Sequence, residues 1–329
     1  MTRQNNNLPE RETAWIMGDH CLGNSGSHNE RCIYALSILG CILVSMDAYA
    51  EACYLLTRPL KNRGYWRLLQ LSSSRGHRIR RVDSAEILYE AGDRYWAVLR
   101  ANSFAYEPEI KGALRRLASL NFGFVDAGAN IGFWSSWIQK ELQVHRLVSI
   151  EPNPEVFSLL RINNLLNGGN AICLEAALTT SDSDFVTLFV PKVSGGHASG
   201  SLLSDSDSQT IHVSGVTLRS VIQTYMEEAE YIIIKLDVEG LESELLQVVA
   251  DSRDKRQIVI YEEHGSDGDC LATETALKMS GYSVFFLEKH GNWIPIQAAH
   301  EVRALKTNPS VGYNCIAIPH ALASHALSA

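Results

Sequence analysis

The sequence has no C-x-x-C pair, no usable N-x-S/T acceptor and no run of about 20 apolar residues. Its cysteines (Cys21, Cys32, Cys41, Cys53, Cys173, Cys270 and Cys315) are odd in number and widely spaced. That excludes a disulfide framework and a structural zinc site, and points to reduced thiols and a cytoplasmic location. G-x-S-x-G, H-E-x-x-H and a phosphate loop ending in G-K-[ST] are also missing, so the usual serine-hydrolase, zinc-protease and NTPase readings fall away. Asp205-Ser206-Asp207 lacks the glycine and closing glutamate of a calcium loop, and no metal is expected. Positive charge is scarce: 29 Lys and Arg against 37 Asp and Glu give a net charge of −8. A phosphate backbone repels such a surface, so no nucleic-acid partner is expected. The basic cluster of Arg75, His77, Arg78, Arg80 and Arg81 reads as a solvated face.

What is there is ordinary for a globular chain: 46% hydrophobic and 20% charged residues over 329 positions. Three regions stand out. Residues 1–31 are polar and read as a flexible arm. Residues 32–104 read as a helical and mixed extension, with a helix over 32–57 stopped by Pro59. The apolar run 32–46 is short for a membrane span and sits behind a charged stretch. A buried helix is the expectation, and membrane association through 32–56 is the alternative. Strands are expected at 78–82, 86–90 and 95–100, with a turn at Gly92-Asp93.

Residues 105–329 read as one α/β domain. A helix over 107–120 buries Ile110, Leu114, Leu117 and Leu120 on one face. Strands then alternate with helices: strands at 122–125, 147–150, 171–174, 231–236, 257–261, 284–287 and 313–318, helices at 131–138, 154–166, 218–226, 241–249 and 270–279. This alternation predicts a doubly wound, mostly parallel, Rossmann-like sheet. Segments 185–190 and 210–213 read as an inserted hairpin. The polar loop 194–208 reads as a substrate lid or a plain loop.

The central motif is Asp126-Ala127-Gly128-Ala129-Asn130-Ile131-Gly132, after a strand and opening a helix. Gly128 and Gly132 allow a sharp turn and leave room for a ligand. Their G-x-x-x-G spacing is not the G-x-G-x-x-G of a dinucleotide site. Asp126 at the strand tip suits a cation such as an amino group. Glu151 ends the next strand, where an acid can accept ribose hydroxyls or can merely favour the helix that follows. Asn130 reads also as a turn residue, and Asn163 and Asn164 as helix-surface amides. Lys235-Leu236-Asp237-Val238-Glu239-Gly240 closes the most apolar strand, and alternation puts Lys235, Asp237 and Glu239 on one side. Three charged groups at a strand tip favour catalysis over a simple ion pair. Tyr261-Glu262-Glu263-His264 ends the next strand and would flank the same crevice.

Taken together, these pieces and Val216-Thr217-Leu218 resemble the FkbM-type methyltransferase family over roughly residues 105–265. The resemblance implies a class I methyltransferase fold, S-adenosyl-L-methionine (SAM) as donor, and O-methylation of a hydroxyl on a saccharide or secondary metabolite. By position it implies that Asp126, Gly128, Asn130 and Gly132 hold the methionine end, Glu151 the ribose, and Ala177 with its neighbours the adenine. Arg219 stands where the family pattern T-L-D has its acid. The expected partner is a small-molecule or glycan acceptor. Asp237 or Glu239 is the expected base, or orients Lys235, with His264 next; a lysine between carboxylates stays protonated and steadies the developing alkoxide. An N-methyltransferase acting on an amine, a SAM-binding protein without turnover and an NAD-dependent oxidoreductase are the rival readings.

Overall fold

The computed structural model describes residues 76–328 except 94, 102–103, 182–184, 192–207, 239, 253, 255, 264–269 and 307–311. These lie in Val44–Ala329, the second of two units into which the chain divides. The arm at 1–31, the helix at 32–57, nearly all of the loop 194–208, and the candidate catalytic residues Glu239 and His264 fall outside the described residues.

The elements run β1 His77–Val82, β2 Ala85–Glu90, a 3-10 helix Trp96–Arg100, α1 Pro108–Arg116, β3 Phe122–Ala127, α2 Phe133–Trp137 continued by a π turn, β4 Leu147–Ile150 and α3 Pro154–Leu166. After them come β5 Ile172–Leu174, β6 Ala177–Thr179, β7 Phe185–Pro191, β8 Ser208–Thr217, α4 Leu218–Tyr225, β9 Tyr231–Leu236 and α5 Glu242–Asp251. The chain ends with β10 Gln257–Glu263, α6 Leu271–Leu277, β11 Tyr282–Leu287, β12 Trp293–Ile296, α7 Ala299–Leu305, β13 Tyr313–Pro319 and α8 His320–Ser328.

Eight strands form one sheet in the order β12-β11-β13-β10-β9-β3-β4-β5. β5, β4, β3, β9 and β10 are parallel, and β13 is inserted antiparallel between β10 and β11. This is the expected class I, Rossmann-like α/β fold. The chain winds outward from β3 to β5, then returns to the other side of β3 as β9. The switch point between β3 and β9 opens a crevice at the carboxyl ends of the strands, where open α/β sheets bind ligands. Alternation divides the central strands between two layers. Ile233, Phe124, Ile258 and Ile260 pack under α1, α2 and α8; Ile232, Ile234, Val125 and Val259 pack under α4, α5 and α6. The runs are apolar throughout because both faces are covered.

The chain before α1 shares the first of these cores through Ala85, Ile87, Tyr89, Trp96 and Leu99. One expectation fails here. Residues 96–100 form a 3-10 helix rather than a strand, because Asp93 Oδ1 accepts the N–H of both Tyr95 (2.7 Å) and Trp96 (2.6 Å) and starts a helical turn. The turn expected at Gly92-Asp93 is present, closed by Asp93 N–H donating to Glu90 O at 3.1 Å, and β1 and β2 are joined by a tight turn at Asp83-Ser84. Asp83 takes φ 52°, and its Oδ2 receives Lys111 Nζ (2.8 Å) and Trp137 Nε1 (2.7 Å).

The asparagines of α3 are not surface amides. Asn163 is fully buried: its Oδ1 accepts Leu88 N–H (2.7 Å), and its Nδ2 donates to Leu88 O (2.9 Å) and Ile131 O (2.7 Å). Asn167, one turn on, does the same for Glu86 (2.9 and 2.7 Å). Their amides stand in for a neighbouring strand along the free edge of β2. Asn164 bonds Ala171 N and O and receives Gln139. The inserted hairpin β7–β8 is present and gains β6, parallel to β8, as a third strand. β6, β12, α7 and α8 are elements that the sequence patterns did not mark.

Candidate active site

β3 delivers the central motif to the switch point. The backbone turns through φ 76° at Gly128, 50° at Asn130 and 80° at Gly132. Gly128 and Ala129 both donate N–H to Ile150 O (3.0 and 2.9 Å), which ties the loop to the end of β4. The glycines do not reserve ligand space as expected. A Cβ on Gly128 would fall onto the Asp237 carbonyl, and one on Gly132 onto Leu160. Gly128 therefore lets the first motif touch the second; Asp237 N–H donates to Ala127 O at 3.1 Å beside it.

Asp126 is fully buried. Its Oδ2 accepts from Ser135 N (3.1 Å) and Ser135 Oγ (2.5 Å), while Oδ1 has no partner. Burial raises its pKa; Lys235 and Ser135 oppose that without cancelling it. Glu151 is buried at the end of β4. Its Oε2 accepts Asn130 N–H (3.0 Å) and its Oε1 accepts Asn153 N–H (2.8 Å). Burial lifts its pKa to about 7 against the pull of those two N–H groups. Asn153 also caps α3 through Glu155 N–H, so the helix start does not depend on Glu151.

Lys235, 3% exposed, meets Asp237: Nζ to Oδ2 is 2.7 Å. Burial alone would lower the ammonium pKa, but Asp237, Glu107 and Asp126 outweigh it and hold the pKa well above its ordinary value. Lys235 is a fixed cation here. The turn after β9 is clamped by Glu242, a buried residue that no sequence pattern flagged. Its two carboxylate oxygens accept Val238 N–H (2.8 Å) and Gly240 N–H (2.9 Å).

Glu107 is a second residue missed from the sequence. It precedes α1 with φ 37° and accepts from Trp134 Nε1 (2.8 Å) and Asn314 Nδ2 (3.2 Å). Burial raises its pKa, with Lys235 opposing and Asp237 adding to the rise. Its strained backbone was the signal a structure could show and a sequence could not. Tyr95 and Tyr106 join hydroxyl to hydroxyl at 2.9 Å in the same field of Glu107 and Asp237.

The Tyr261-Glu262-Glu263 cluster divides. Tyr261 and Glu263 are buried and bond Thr273, Glu263 through Thr273 N (2.7 Å) and Oγ1 (2.6 Å), so they anchor α6. Glu262 stays half-buried and lies near Tyr95. Ala177 is buried in β6 beside Leu188, Val190 and Val213. Its neighbour Ala176 lines a cavity of about 450 Å³ with Phe157, Cys173, Glu175, Val216 and Tyr225. Among the described residues no His, Cys, Asp and Glu cluster could hold a metal ion, and no helix is long and apolar enough to cross a membrane.

A fold with its crevice at the β3/β9 switch point, and acids at the tips of β3, β4 and β9, has the makings of a group-transfer enzyme. The FkbM methyltransferase domain matches residues 126–299, just over half of the chain. The chain belongs to the FkbM methyltransferase family. It is 24% identical over 194 residues to Methyltransferase 1 of Beauveria bassiana (strain ARSEF 2860), a stretch covering 52% of this chain and 75% of that protein. Among solved structures it is similar to M. jannaschii TYW2 in complex with AdoMet (TM-score 0.39, 13% identity, 74% of this chain and 86% of that one). It is also similar to precorrin-6y C5,15-methyltransferase from Geobacter metallireducens (TM-score 0.37, 15% identity, 67% and 91%).

Proposed function

We propose that the chain is a SAM-dependent O-methyltransferase acting on a hydroxyl of a saccharide or secondary metabolite. The observation that carries the donor is the unpartnered, fully buried Oδ1 of Asp126 in β3, with Glu151 at the end of the neighbouring β4 bound to the loop that follows Asp126. An ammonium donating to that oxygen would complete its bonding, as the amino group of the methionine moiety can. Each oxygen of Glu151 accepts one backbone N–H and keeps a lone pair for a ribose hydroxyl. The residues fit SAM. When bound, SAM supplies a methyl group already activated by its sulfonium.

The protein's own part is alignment and removal of a proton. In this reading a carboxylate would take the proton of the acceptor O–H and leave its oxygen ready to receive the methyl group, whose bond to sulfur would break with the electron pair going to S-adenosylhomocysteine. Asp237, which is tied to Lys235, or Glu239 is the base in this reading, or orients Lys235, and His264 is the next candidate. The Lys235 ammonium steadies the negative charge that builds on the acceptor oxygen. A second reading, N-methylation of an amine, is favoured by the half-buried Glu107 carboxylate, which has tyrosines Tyr95 and Tyr106 close by and no ion pair among the described residues.

Isothermal titration with S-adenosylhomocysteine, with NAD as control, tests the donor. Micromolar binding of the first and none of the second is expected. A folded protein that binds neither refutes the cofactor reading. An acceptor screen of hydroxylated sugars and polyketides beside their amino analogues then separates O- from N-methylation.

A further inference from the structure

The donor loop is also held by a residue well ahead of the matched domain. Trp96, in the 3-10 helix, donates its indole Nε1–H to Asn130 Oδ1 at 2.9 Å. The same oxygen accepts Ile131 N–H at 2.8 Å, so both of its lone pairs are engaged. The Asn130 side chain therefore has one orientation. Its main chain sits at φ 50°, a conformation that needs support in a residue other than glycine. In that conformation Asn130 N–H points to Glu151 Oε2 at 3.0 Å. A continuous line of hydrogen bonds runs from Trp96 through Asn130 to Glu151.

Trp96 is itself rigid. It is 2% exposed, and its backbone N–H is bound by Asp93. Its ring stacks on Phe133 with centroids 5.9 Å apart and planes 14° from parallel, and lies 5.1 Å from Tyr106. Phe133 opens the helix on the far side of the same loop. A ring serving only to fill space needs no N–H there.

We propose that Trp96 is a positioning residue for the methyl donor: its indole N–H fixes Asn130, and through Asn130 the Glu151 carboxylate, in the orientation that receives the cofactor. This rests on the SAM reading above. It gives residues 85–100 a part in the donor site, although the family match begins at 126.

The test uses the full chain and S-adenosylhomocysteine. Trp96→Phe keeps an aromatic ring and removes the donor. It should weaken binding about 3- to 10-fold, the worth of one hydrogen bond, with the melting transition still cooperative. Asn130→Gly tolerates the positive φ and removes the acceptor, so it should weaken binding to a similar degree. Adding Trp96→Phe to Asn130→Gly should change nothing further, which a purely packing role would not produce. Unchanged affinity in folded Trp96→Phe, or an equal loss in both backgrounds, overturns the proposal. If Trp96→Phe does not fold, unchanged affinity in Asn130→Gly, which leaves the aromatic cluster intact, overturns it alone. Absence of binding in the unsubstituted protein is a separate result that refutes the donor reading itself.

Discussion

Replacing Glu151 by Gln should remove two pH dependences of opposite sign at once. The carboxyl of Glu151 is buried, and its pKa in the folded chain is raised from 4.5 to about 7. A folded pKa above the unfolded one means that the group stabilises the fold fully below about pH 4.5. That contribution is lost as pH rises through about 7, because the ionised carboxylate is buried at a cost. The difference of about 2.5 units corresponds to about 3 kcal/mol, of which about 2 kcal/mol falls between about pH 5.5 and 8. Gln is neutral and keeps a carbonyl acceptor. The stability of the natural protein relative to Glu151→Gln should thus fall by about 2 kcal/mol over that window in urea melts. The comparison cancels Asp126 and Glu107, which are raised in the same direction. Cofactor affinity should run the other way. Hydroxyls bind an ionised carboxylate better, so S-adenosylhomocysteine should bind more tightly as pH rises through about 7, and Glu151→Gln should flatten that slope. Equal pH slopes of stability in the two proteins would refute the buried-carboxylate account. A flat affinity profile in the natural protein would refute the ribose role.

Further outcomes follow from the same geometry. Gly128→Ala forces a Cβ onto the Asp237 carbonyl and strains φ 76°; it should cost about 3 kcal/mol in chemical denaturation and abolish tight S-adenosylhomocysteine binding, and a neutral result would mean the two motifs do not touch. Asn163→Ala leaves Leu88 N, Leu88 O and Ile131 O without their amide partner, so the thermal midpoint should drop by several degrees, reflecting about 3 kcal/mol; a surface-like loss under about 0.5 kcal/mol would contradict the edge-tether role. Asp237→Asn and Glu239→Gln, made singly, should between them show a loss of kcat of about 100-fold or more with S-adenosylhomocysteine affinity retained; full turnover in both removes the carboxylate-base mechanism. Lys235→Met should lower kcat and also leave Asp237 without its 2.7 Å partner; a change in KM alone would show that Lys235 binds rather than steadies charge.

Much of the domain was legible because its signals are local. The strand at Tyr231–Leu236 is apolar at every position but Lys235, as a strand covered on both faces must be. The Asn-Pro-Glu start of α3 carries its own cap, and that helix was placed to the residue. The succession of strands and helices is enough for the class I sheet, because right-handed crossovers leave few other topologies. The glycine loop, the acid after β4 and the charged tip of β9 could be named from spacing alone.

Other features depended on partners that composition and spacing do not reveal. Asn163 and Asn164 look like surface amides until α3 is laid against β2 and the start of β5, where their polar atoms meet exposed main chain. Residues 96–100 have strand-like composition, but one Asp93 oxygen captures two N–H groups and a helical turn wins. The glycines of the motif suggested room for a ligand, whereas the space is filled by Asp237 and Leu160. Glu107, Glu242 and Trp96 carry no pattern of their own. Glu107 and Trp96 gain meaning only when folding brings them to a turn or a charge far along the sequence, and Glu242 only when the turn just ahead of it closes onto its carboxylate. The sequence by itself determined the order of elements and the chemistry at the strand tips, since both are written in neighbouring residues. Which carboxylate is buried, which is paired and which amide is locked was decided by tertiary structure, because desolvation and hydrogen bonding are set by what packs alongside.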